Sequence, residues 1–304
     1  MNPIKLIAPL LVALAYSPSE GWAVPVLGSQ LSSFSVLGAS AVTNTGATIL
    51  TGNLGVSNNS SATGITGFFG TLANDGPGIV IGSVHQGDAF AITADGQLVS
   101  AMTGLGLMGA GTSLGSDLGG LTVAPGIYTV SAGASNLIGT LTLDGGGNAN
   151  AYWVFQLPST LITSSGSSVN VINTGAGAGV YWNVGSSATL GSGTTFAGNI
   201  LASTSISMNA GATLSCGRAL AHTGAVTLIA DSVNSTDCIG TGGLDSQGLS
   251  GGLTVLDSGA IVPLPFAAVP AVPAVPEPGT YALMFAGLGI LGFAARRNTR
   301  RNSA

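Results

Sequence analysis

The chain has 304 residues, 45% of them hydrophobic, which is enough for one sizeable domain with its own core and some appendages. Only 6% of the residues are Asp, Glu, Lys or Arg, and Arg218 is the single basic residue between Val24 and Gly279. Nucleic acids and anionic membranes are bound through clusters of Lys and Arg, so this composition argues against both as partners of the central region.

The N-terminal segment, residues 1–23, has the composition of a secretory signal peptide. Lys5 precedes an apolar run from Leu6 to Tyr16, and the segment ends in the small-residue pattern Gly-Trp-Ala. We expect cleavage before Val24 and export of the mature protein from the cytoplasm. The alternative for this segment is a buried N-terminal helix.

The next part of the chain predicts short strands followed by one helix. Residues 34–57 read as strands and turns and contain the motif Thr-Gly-Ala-Thr from Thr45 to Thr48, and Thr-Gly-Ile-Thr follows from Thr63 to Thr66. From Asp88 to Met108 the apolar residues recur at helical spacing, with Asp88 at the N-cap position. This spacing predicts one long helix packed along the domain.

Four sixteen-residue repeats, beginning at Val154, Tyr181, Asn199 and Arg218, align without gaps. A period of this size, in which no unit can bury its own apolar face, is the signature of a solenoid. Each repeat predicts three short strands with glycine-rich turns, and therefore a triangular cross-section. The positions assigned to the core are Phe155, Leu157, Leu161, Val169, Trp182, Val184, Ala188, Phe196, Ile200, Ala202, Ile206, Leu214, Ala219, Ala221, Ala225 and Val233.

The outward positions of the second and third predicted strands carry small, mostly hydroxylated residues. On the third strand these are Ser168, Thr195, Thr213 and Ser232, with Asn170, Ala197, Ser215 and Asn234 two residues further on. On the second strand they include Ser187, Thr189, Ser205 and Ser207. A ladder of hydroxyls at fixed spacing is either a solvated face with good β-propensity or a lattice-matched surface, and repetition alone leaves both open.

The two cysteines of the chain, Cys216 and Cys238, fit an exported protein. In an oxidising compartment we expect them to form a structural disulfide, worth about 3 kcal/mol through chain entropy. Two thiols with only His85 and His222 elsewhere do not have the spacing of a zinc site, so neither a metal nor a cofactor is expected.

The C-terminal part holds a proline-rich spacer from Ala268 to Pro278, an apolar segment from Thr280 to Ala295, and then four arginines. It closely resembles the PEP-CTERM sorting signal of Gram-negative bacteria, on the residues Pro276, Glu277, Pro278, Arg296 and Arg297. The resemblance implies an exosortase that processes the tail, and a secreted or cell-surface protein. Membrane contact would then be confined to this tail, as a transmembrane or sorting helix.

Six segments between about Leu27 and Cys238 carry a further resemblance. They are FSVLGASAVTNTGATILTGNLGVS (34–57), GSVHQGDAF (82–90), LGSDLGGLTVAPGIY (114–128), LTLDGGGNANAYWVFQL (141–157), VYWNVGSSATLGSGTTFAGNILA (180–202) and GRALAHTGAVTL (217–228). In this order they resemble the microbial ice-binding protein family. The resemblance implies a discontinuous β-solenoid with a long helix alongside. It also implies that the protein binds ice by a flat solenoid face, without catalysis.

Family members with strong activity often carry Thr-Ala/Gly-x-Thr/Asn motifs, which this chain matches twice and then loses at Thr223 to Val226. We therefore expect moderate ice-binding activity, with the third-strand face as the first choice for the ice surface and the second-strand face as the reserve. The expected ice-contacting residues are Ser168, Thr195, Ala197, Thr213, Ser215, Ser187, Thr189, Ser205, Ser207, Thr45, Thr48, Thr63 and Thr66.

Two other functions are compatible with an extracellular β-solenoid. An extracellular polysaccharide-cleaving enzyme needs clustered carboxylates, whereas Asp75, Asp88, Asp95, Asp117, Asp144 and Asp231 are scattered, so no enzymatic activity is expected. The alternative is a structural or adhesion protein that associates with exopolysaccharide and has no ice activity. Tyr181 is the candidate exposed aromatic for such glycan contact.

The expected fold is mainly β: a discontinuous triangular β-solenoid with one long α-helix packed alongside, plus a C-terminal apolar sorting helix. Four parts follow along the chain. They are a signal peptide (1–23), an ice-binding-like β-solenoid domain (24–239), a Gly/Pro-rich linker (240–278) and a PEP-CTERM sorting segment (279–304).

Overall fold

The computed structural model describes residues 24–133, 136–236 and 248–269. The chain divides into two compact units, residues 1–269 and 270–304, and all described residues belong to the first. The predicted signal peptide, Cys238, the PEP-CTERM residues and the predicted C-terminal apolar helix lie outside the described residues. In the part that is described, no helix is both long and apolar enough to span a membrane.

The described residues form a solenoid with three faces of parallel strands. The first face contains β1 (Phe34–Gly38), β4 (Asn53–Val56), β7 (Val84–Gln86), β8 (Thr112–Leu114), β10 (Gly126–Val130), β12 (Tyr152–Leu157) and β15 (Gly179–Val184). The second face contains β2 (Val42–Thr45), β5 (Ile65–Thr66), β13 (Leu161–Ile162), β16 (Ala188–Leu190), β18 (Ile206–Met208) and β20 (Val226–Ile229). The third face contains β3 (Ile49–Thr51), β6 (Ile79–Ile81), β9 (Thr122–Val123), β11 (Thr140–Asn148), β14 (Ser168–Thr174) and β21 (Ser232–Asn234).

Two long strands, β17 (Thr195–Ala202) and β19 (Thr213–Ala221), pass from the third face of one coil to the first face of the next. The strands β22 (Leu253–Val255) and β23 (Ile261–Pro263) form a separate antiparallel hairpin.

The coils do not stack in chain order. The N-terminal coil β1–β3 pairs with β19, β20 and β21, the last coil of the repeats, and β4–β6 stacks beyond it. The helix α1 (Ala89–Leu107) then carries the chain back toward the opposite end, where β8 is the last strand of its sheet. The expected discontinuous solenoid with one helix alongside is confirmed.

The helix α1 covers the first face. The carboxylate of Asp88 accepts a hydrogen bond from the backbone N–H of Ala91 at 2.9 Å, which confirms the predicted N-cap. The buried side of the helix carries Ala91, Ala94, Leu98, Ala101 and Leu105, spaced three or four residues apart. These residues pack on outward residues of the first face, among them Leu37, Tyr181, Leu201 and Leu220.

The predicted core positions are buried, with one exception in the fourth repeat. Ala225 is half-buried, and Val226 is the residue that pairs with Ile206 and points inward. The ungapped alignment is wrong over this strand, because the fourth repeat has one more residue before its second strand and one fewer after it. The correction moves Thr227 onto the outward side of the second face.

Residues 248–269, which lie in the predicted linker, form a strap that packs on the solenoid. Gly248, Leu249 and Leu253 are buried, and Tyr181 donates hydrogen bonds to the carbonyls of Ser250 and Gly251. Tyr181 is therefore fully buried, and the interpretation of it as an exposed glycan contact is wrong. The Gly and Pro content of this segment predicts a linker, whereas its apolar residues form β22 and β23 against the solenoid.

Arg218 joins three distant parts of the chain. It is only 2% exposed. Its guanidinium donates to the carbonyls of Ser32 (2.7 Å) and Gly248 (3.1 Å) and to Oδ1 of Asn199 (2.7 Å). Burial lowers the pKa of Arg218 to about 10. The N-terminal 3-10 helix (Leu31–Ser33), the solenoid and the strap thus meet at one side chain.

Candidate functional site

The second face is a six-stranded parallel sheet, in the order β13-β16-β18-β20-β2-β5. One outward residue from each strand stands in register with its neighbours. This central column is Ile162, Thr189, Ser207, Thr227, Thr43 and Thr66. Neighbouring strands lie about 4.8 Å apart, so the column is about 24 Å long.

A second column of small residues flanks the central column, two positions earlier in each strand. It consists of Thr160, Ser187, Ser205, Ala225, Ala41 and Gly64, as the backbone hydrogen bonds between successive coils show. The hydroxyls of Ser187 and Ser205 lie 3.0 Å apart, and Thr43 donates to Thr227 at 3.4 Å. Hydroxyls that bond one another across strands hold the side chains in fixed orientations. Neither column contains a charged residue.

The four threonines of the two Thr-Gly-x-Thr motifs, all predicted to contact ice, lie in different environments at this face. Thr45 and Thr63 are exposed, and Thr66 belongs to the central column. Thr48 is fully buried, donates to Oδ1 of Asn44 at 2.5 Å and accepts from the backbone N–H of Asp231 at 3.0 Å. Its assignment as an ice contact is wrong, because its hydroxyl is used inside the corner between the second and third faces.

Asp231 occupies the same corner and is buried. Its carboxylate accepts hydrogen bonds from the backbone N–H groups of Ala212 (2.9 Å) and Ile229 (2.7 Å). Desolvation by burial outweighs these hydrogen bonds and raises the pKa of Asp231 to about 6. The corner is therefore stiffened by buried polar groups rather than by surface contacts.

The third face carries the hydroxyl ladder that the sequence ranked first, but the ladder changes character along its length. Its outward column is Thr140, Ser168, Thr195, Thr213, Ser232, Ile49 and Ile79. Ile79 and Ile81, both in the edge strand β6, are 51% and 58% exposed. One end of this face is thus a ladder of hydroxyls and the other an apolar patch.

The second column of the third face is interrupted. Ala197 is 2% exposed, so its assignment as an ice contact is wrong, whereas its neighbour Ser215 is half-buried. The register of β17 against β19 shifts between Ala197 and Gly198, and the indole N–H of Trp182 donates to the carbonyl of Ala197 at 3.0 Å. Ala197 still pairs in register with Ser215, and the shift follows it, at the corner where the chain passes into the first face.

Two central residues of the second face, Thr43 and Thr227, were missed by the sequence reading. A signal for them was present: Ala41-Val42-Thr43 and Ala225-Val226-Thr227 have the same sequence and pair strand to strand. The N-terminal copy of this pattern lies outside the four sixteen-residue repeats, which begin at Val154, so the repeat alignment does not include it.

The fold and the two faces define a class of protein: a rigid β-solenoid that presents flat, uncharged arrays of hydroxyl and methyl groups. Among the described residues, no group of three or more His, Cys, Asp or Glu side chains could hold a metal ion. The ice-binding-like family model matches residues 36–234, and the PEP-CTERM protein-sorting motif matches residues 274–301. The chain belongs to the ice-binding-like family.

Its similarity extends to proteins from several sources. It is 43% identical to an ice-binding protein of Nostoc sp. (strain HG1) over 231 residues. This alignment covers 74% of this chain and 81% of the relative. The crystal structure of an ice-binding protein from the Antarctic ascomycete Antarctomyces psychrotrophicus has a TM-score of 0.62 at 34% identity, over 70% of this chain and 98% of that one. An ice-binding protein from an Antarctic biological consortium has a TM-score of 0.61 at 34% identity, over 77% and 95% of the two chains.

Proposed function

We propose that this chain is an extracellular ice-binding protein that slows ice growth and recrystallisation through a flat face of its solenoid. Family membership over residues 36–234 supports this function, as does the similarity to proteins named for ice binding. The action requires no catalysis, since a surface that adsorbs to ice makes and breaks no covalent bond.

We assign the ice surface to the second face, which the sequence predicts only as the second choice after the third face. The observation that carries this choice is that the central column is hydroxylated on five successive strands, from Thr189 to Thr66, and that the flanking column beside it holds only small residues. The third face also has five hydroxylated residues in register, from Thr140 to Ser232, but that column continues into Ile49 and Ile79, and Ala197 in the flanking column is buried. Strands about 4.8 Å apart, with same-face residues about 6.6 Å apart along each strand, form a two-dimensional grid. Hydroxyls and methyls on such a grid can hold surface waters in an ice-like arrangement.

The rigidity of this hydroxyl array explains how individually weak contacts are sufficient for binding to ice. Each hydroxyl contributes little, but the contacts act together, and an array that is already ordered loses little conformational entropy when it binds. The hydrogen bonds between Ser187 and Ser205 and between Thr43 and Thr227 supply this order. The third face has comparable hydroxyls at Thr195, but the buried Ala197 interrupts its flanking column, and Ile49 and Ile79 stand in place of hydroxyls at one end.

The test is ice shaping and recrystallisation inhibition by purified residues 24–269 in a nanolitre osmometer. We expect faceted crystals and arrested grain growth. Circular dichroism on the same sample establishes that the chain is folded. Round crystals and normal coarsening from a folded sample would overturn the proposal, and they would leave a structural or adhesive role in its place.

We further propose how the chain reaches its place of action. Residues 1–23 act as a signal peptide, and an exosortase of a Gram-negative bacterium processes the tail near Pro276, Glu277 and Pro278, which lie in the matched sorting motif. The solenoid domain then runs from residue 24 to 269, the linker and the sorting segment follow, and any membrane contact is made by the tail. Mass spectrometry of the protein from the cell surface would reveal both cleavage sites.

We also propose a disulfide between Cys216 and Cys238. Cys216 is buried where β19 crosses from the third face to the first. A disulfide there would fasten the chain after β21 to the solenoid and stabilise the fold in an oxidising compartment. Peptide mapping with and without reduction would identify the linked pair, and two alkylated thiols in the unreduced protein would contradict it.

A further inference from the structure

A buried column of side chains runs along the corner between the second and third faces. It consists of the residue that precedes each of the strands β14, β17, β19, β21 and β3, which are in register with one another. No member is more than 3% exposed, yet four of the five are polar. Burial of a polar side chain costs free energy unless its hydrogen bonds are satisfied, so an apolar residue would be the simpler choice at such positions. This corner column is Ser167, Thr194, Ala212, Asp231 and Thr48.

Thr48 links three neighbouring coils through its hydroxyl. Oγ1 of Thr48 donates to Oδ1 of Asn44 at 2.5 Å and accepts from the backbone N–H of Asp231 at 3.0 Å. The amide of Asn44 in turn donates to the carbonyl of Gly67 at 2.7 Å. Asp231 follows β20, Asn44 lies in β2 and Gly67 follows β5, so one set of hydrogen bonds connects three successive strands of the second face.

The residues that Thr48 connects lie close to the central column of the second face. Gly67 and Asn44 each directly follow the central-column residue of their own strand, and Asp231 comes four residues after that of β20. The coils are also in tight contact, since a Cβ on Gly67 would lie 1.9 Å from the backbone oxygen of Asn44. A displacement of one coil against the next would therefore move a surface hydroxyl. The central-column residues concerned are Thr66, Thr43 and Thr227.

A second set of buried hydroxyls lies at the other end of the same corner. The hydroxyls of Thr163 and Thr194 are 3.0 Å apart, and that of Thr163 accepts from the backbone N–H of Gly191 at 2.9 Å. These contacts join the turns that follow β13 and β16, next to Ile162 and Thr189 of the central column. Buried hydroxyls therefore fix neighbouring coils at both ends of the second face.

We propose that these buried hydroxyls position the second face for ice, with Thr48 as the main positioning residue. This role rests on the proposed ice-binding function. Thr48 is fully buried and cannot touch ice, so it acts through Asn44 and Asp231. Binding through many weak contacts requires that all of them are made together, and a site whose supporting residues let it shift by about 1 Å loses function. Directional hydrogen bonds at the corner select one arrangement of the coils, which apolar packing alone does not.

Thr48→Val in the full mature chain is the informative variant, because valine keeps the shape of threonine and removes both hydrogen bonds of the hydroxyl. We expect recrystallisation inhibition per folded molecule to weaken by about fivefold or more, because the contacts to ice act together. Thr48→Ser keeps the hydroxyl and should restore activity to within about twofold of the wild type. Thr163→Val removes the second set of contacts and should cause a loss of the same kind through Thr189.

Thr174→Val is the matched control. Thr174 is 4% exposed and its hydroxyl donates to the carbonyl of Asn148 at 2.8 Å, so the substitution also removes a buried hydrogen bond. It lies at the end of β14, where the chain turns from the third face to the first, away from the second face. We expect this variant to keep the ice activity of the wild type. Circular dichroism and urea unfolding give the folded fraction of every variant at the assay temperature.

A measurement without ice separates positioning from simple destabilisation. NMR relaxation of the threonine methyl groups reports how rigidly each side chain is held. In Thr48→Val we expect lower order parameters than in the wild type for Thr43, Thr66 and Thr227, and an unchanged value for Thr140 on the third face.

Full ice activity or unchanged order parameters in folded Thr48→Val would overturn the proposal. So would an equal loss of activity in Thr174→Val, or a loss that Thr48→Ser does not restore. A folded wild-type chain that fails to shape ice would instead refute the proposed ice-binding function, and the order parameters would still decide whether Thr48 holds the second face in place.

Discussion

The second and third faces of this solenoid both carry a hydroxyl column in register, yet they differ in the residues that surround it. On the second face each strand contributes a single short segment, so Thr43 and Thr227 align across coils whose sequences lie far apart in the chain. On the third face Thr195 and Thr213 are also in register, but Ala197 in the flanking column is buried and the column continues into Ile49 and Ile79. Hydroxyl repetition therefore selects two candidate faces, and the residues around the column decide between them.

The largest expected effect separates the two faces directly. Thr189→Tyr with Thr227→Tyr should reduce thermal hysteresis and recrystallisation inhibition by about an order of magnitude or more, because two bulky side chains lift the grid off the ice. Thr195→Tyr with Thr213→Tyr is the matched pair on the third face and should retain most activity. The reverse pattern, measured on folded proteins, would restore the third face as the ice surface.

The next largest effect is a loss of stability at Arg218, in the part of β19 that passes from the third face to the first. Arg218→Met removes several buried hydrogen bonds and leaves the carbonyls of Ser32 and Gly248 without that donor, so we expect a loss of about 3 kcal/mol in the free energy of unfolding. The strap should loosen while the second face persists. Urea denaturation gives the first quantity and ice activity per folded molecule the second, and a stability loss below about 1 kcal/mol would mean that Arg218 is not the junction described.

The register of the second face can be tested by substitutions at two adjacent residues, Ala225 and Val226. Val226→Ala should cost about 2 kcal/mol because it opens a cavity in the core, whereas Ala225→Ser at the half-buried neighbour should change stability by less than about 0.5 kcal/mol. The ungapped repeat alignment predicts the opposite ranking. Thermal or urea unfolding of both variants decides which residue faces inward.

The smallest effect is a pH dependence at the corner shared by the two faces. The folded-state pKa of Asp231 is raised from 3.8 to about 6, so its contribution to stability is present below pH 3.8 and is lost as the pH rises through 6. We expect the unfolding free energy of wild type to fall by about 1–2 kcal/mol over this window relative to Asp231→Asn. Parallel profiles of the two proteins would show that Asp231 does not carry the dependence.

Local patterns in the sequence predicted much of the fold. The apolar spacing from Asp88 to Met108 gave the helix, and the repeats gave the inward positions such as Trp182 and Phe196, since burial on alternate residues leaves a direct trace in the sequence. The misplacement of Ala225 arose because turns of different length can compensate within one repeat. No single-residue signal marks such a compensation.

The candidate site was harder to predict, because it depends on which coils are neighbours. Thr43 lies next to Thr227 only because the N-terminal coil docks on the last repeat, a long-range contact that periodicity does not encode. The burial of Thr48 depends on Asn44 and Asp231, which meet at a corner formed by the same docking. Most residues within one repeat could be assigned from sequence, with Ala197 and Ala225 as exceptions, whereas contacts between distant coils could not.

The discontinuous order of the coils also constrains how the chain acquires its structure. Val36 pairs with Ala219, so the first strand to emerge during synthesis has its neighbour 183 residues later (219 − 36). Contacts of such long sequence separation are closed late and slow the folding reaction. The first coil therefore stays undocked until the last repeat is available, so the solenoid closes only after nearly the whole domain has been synthesised.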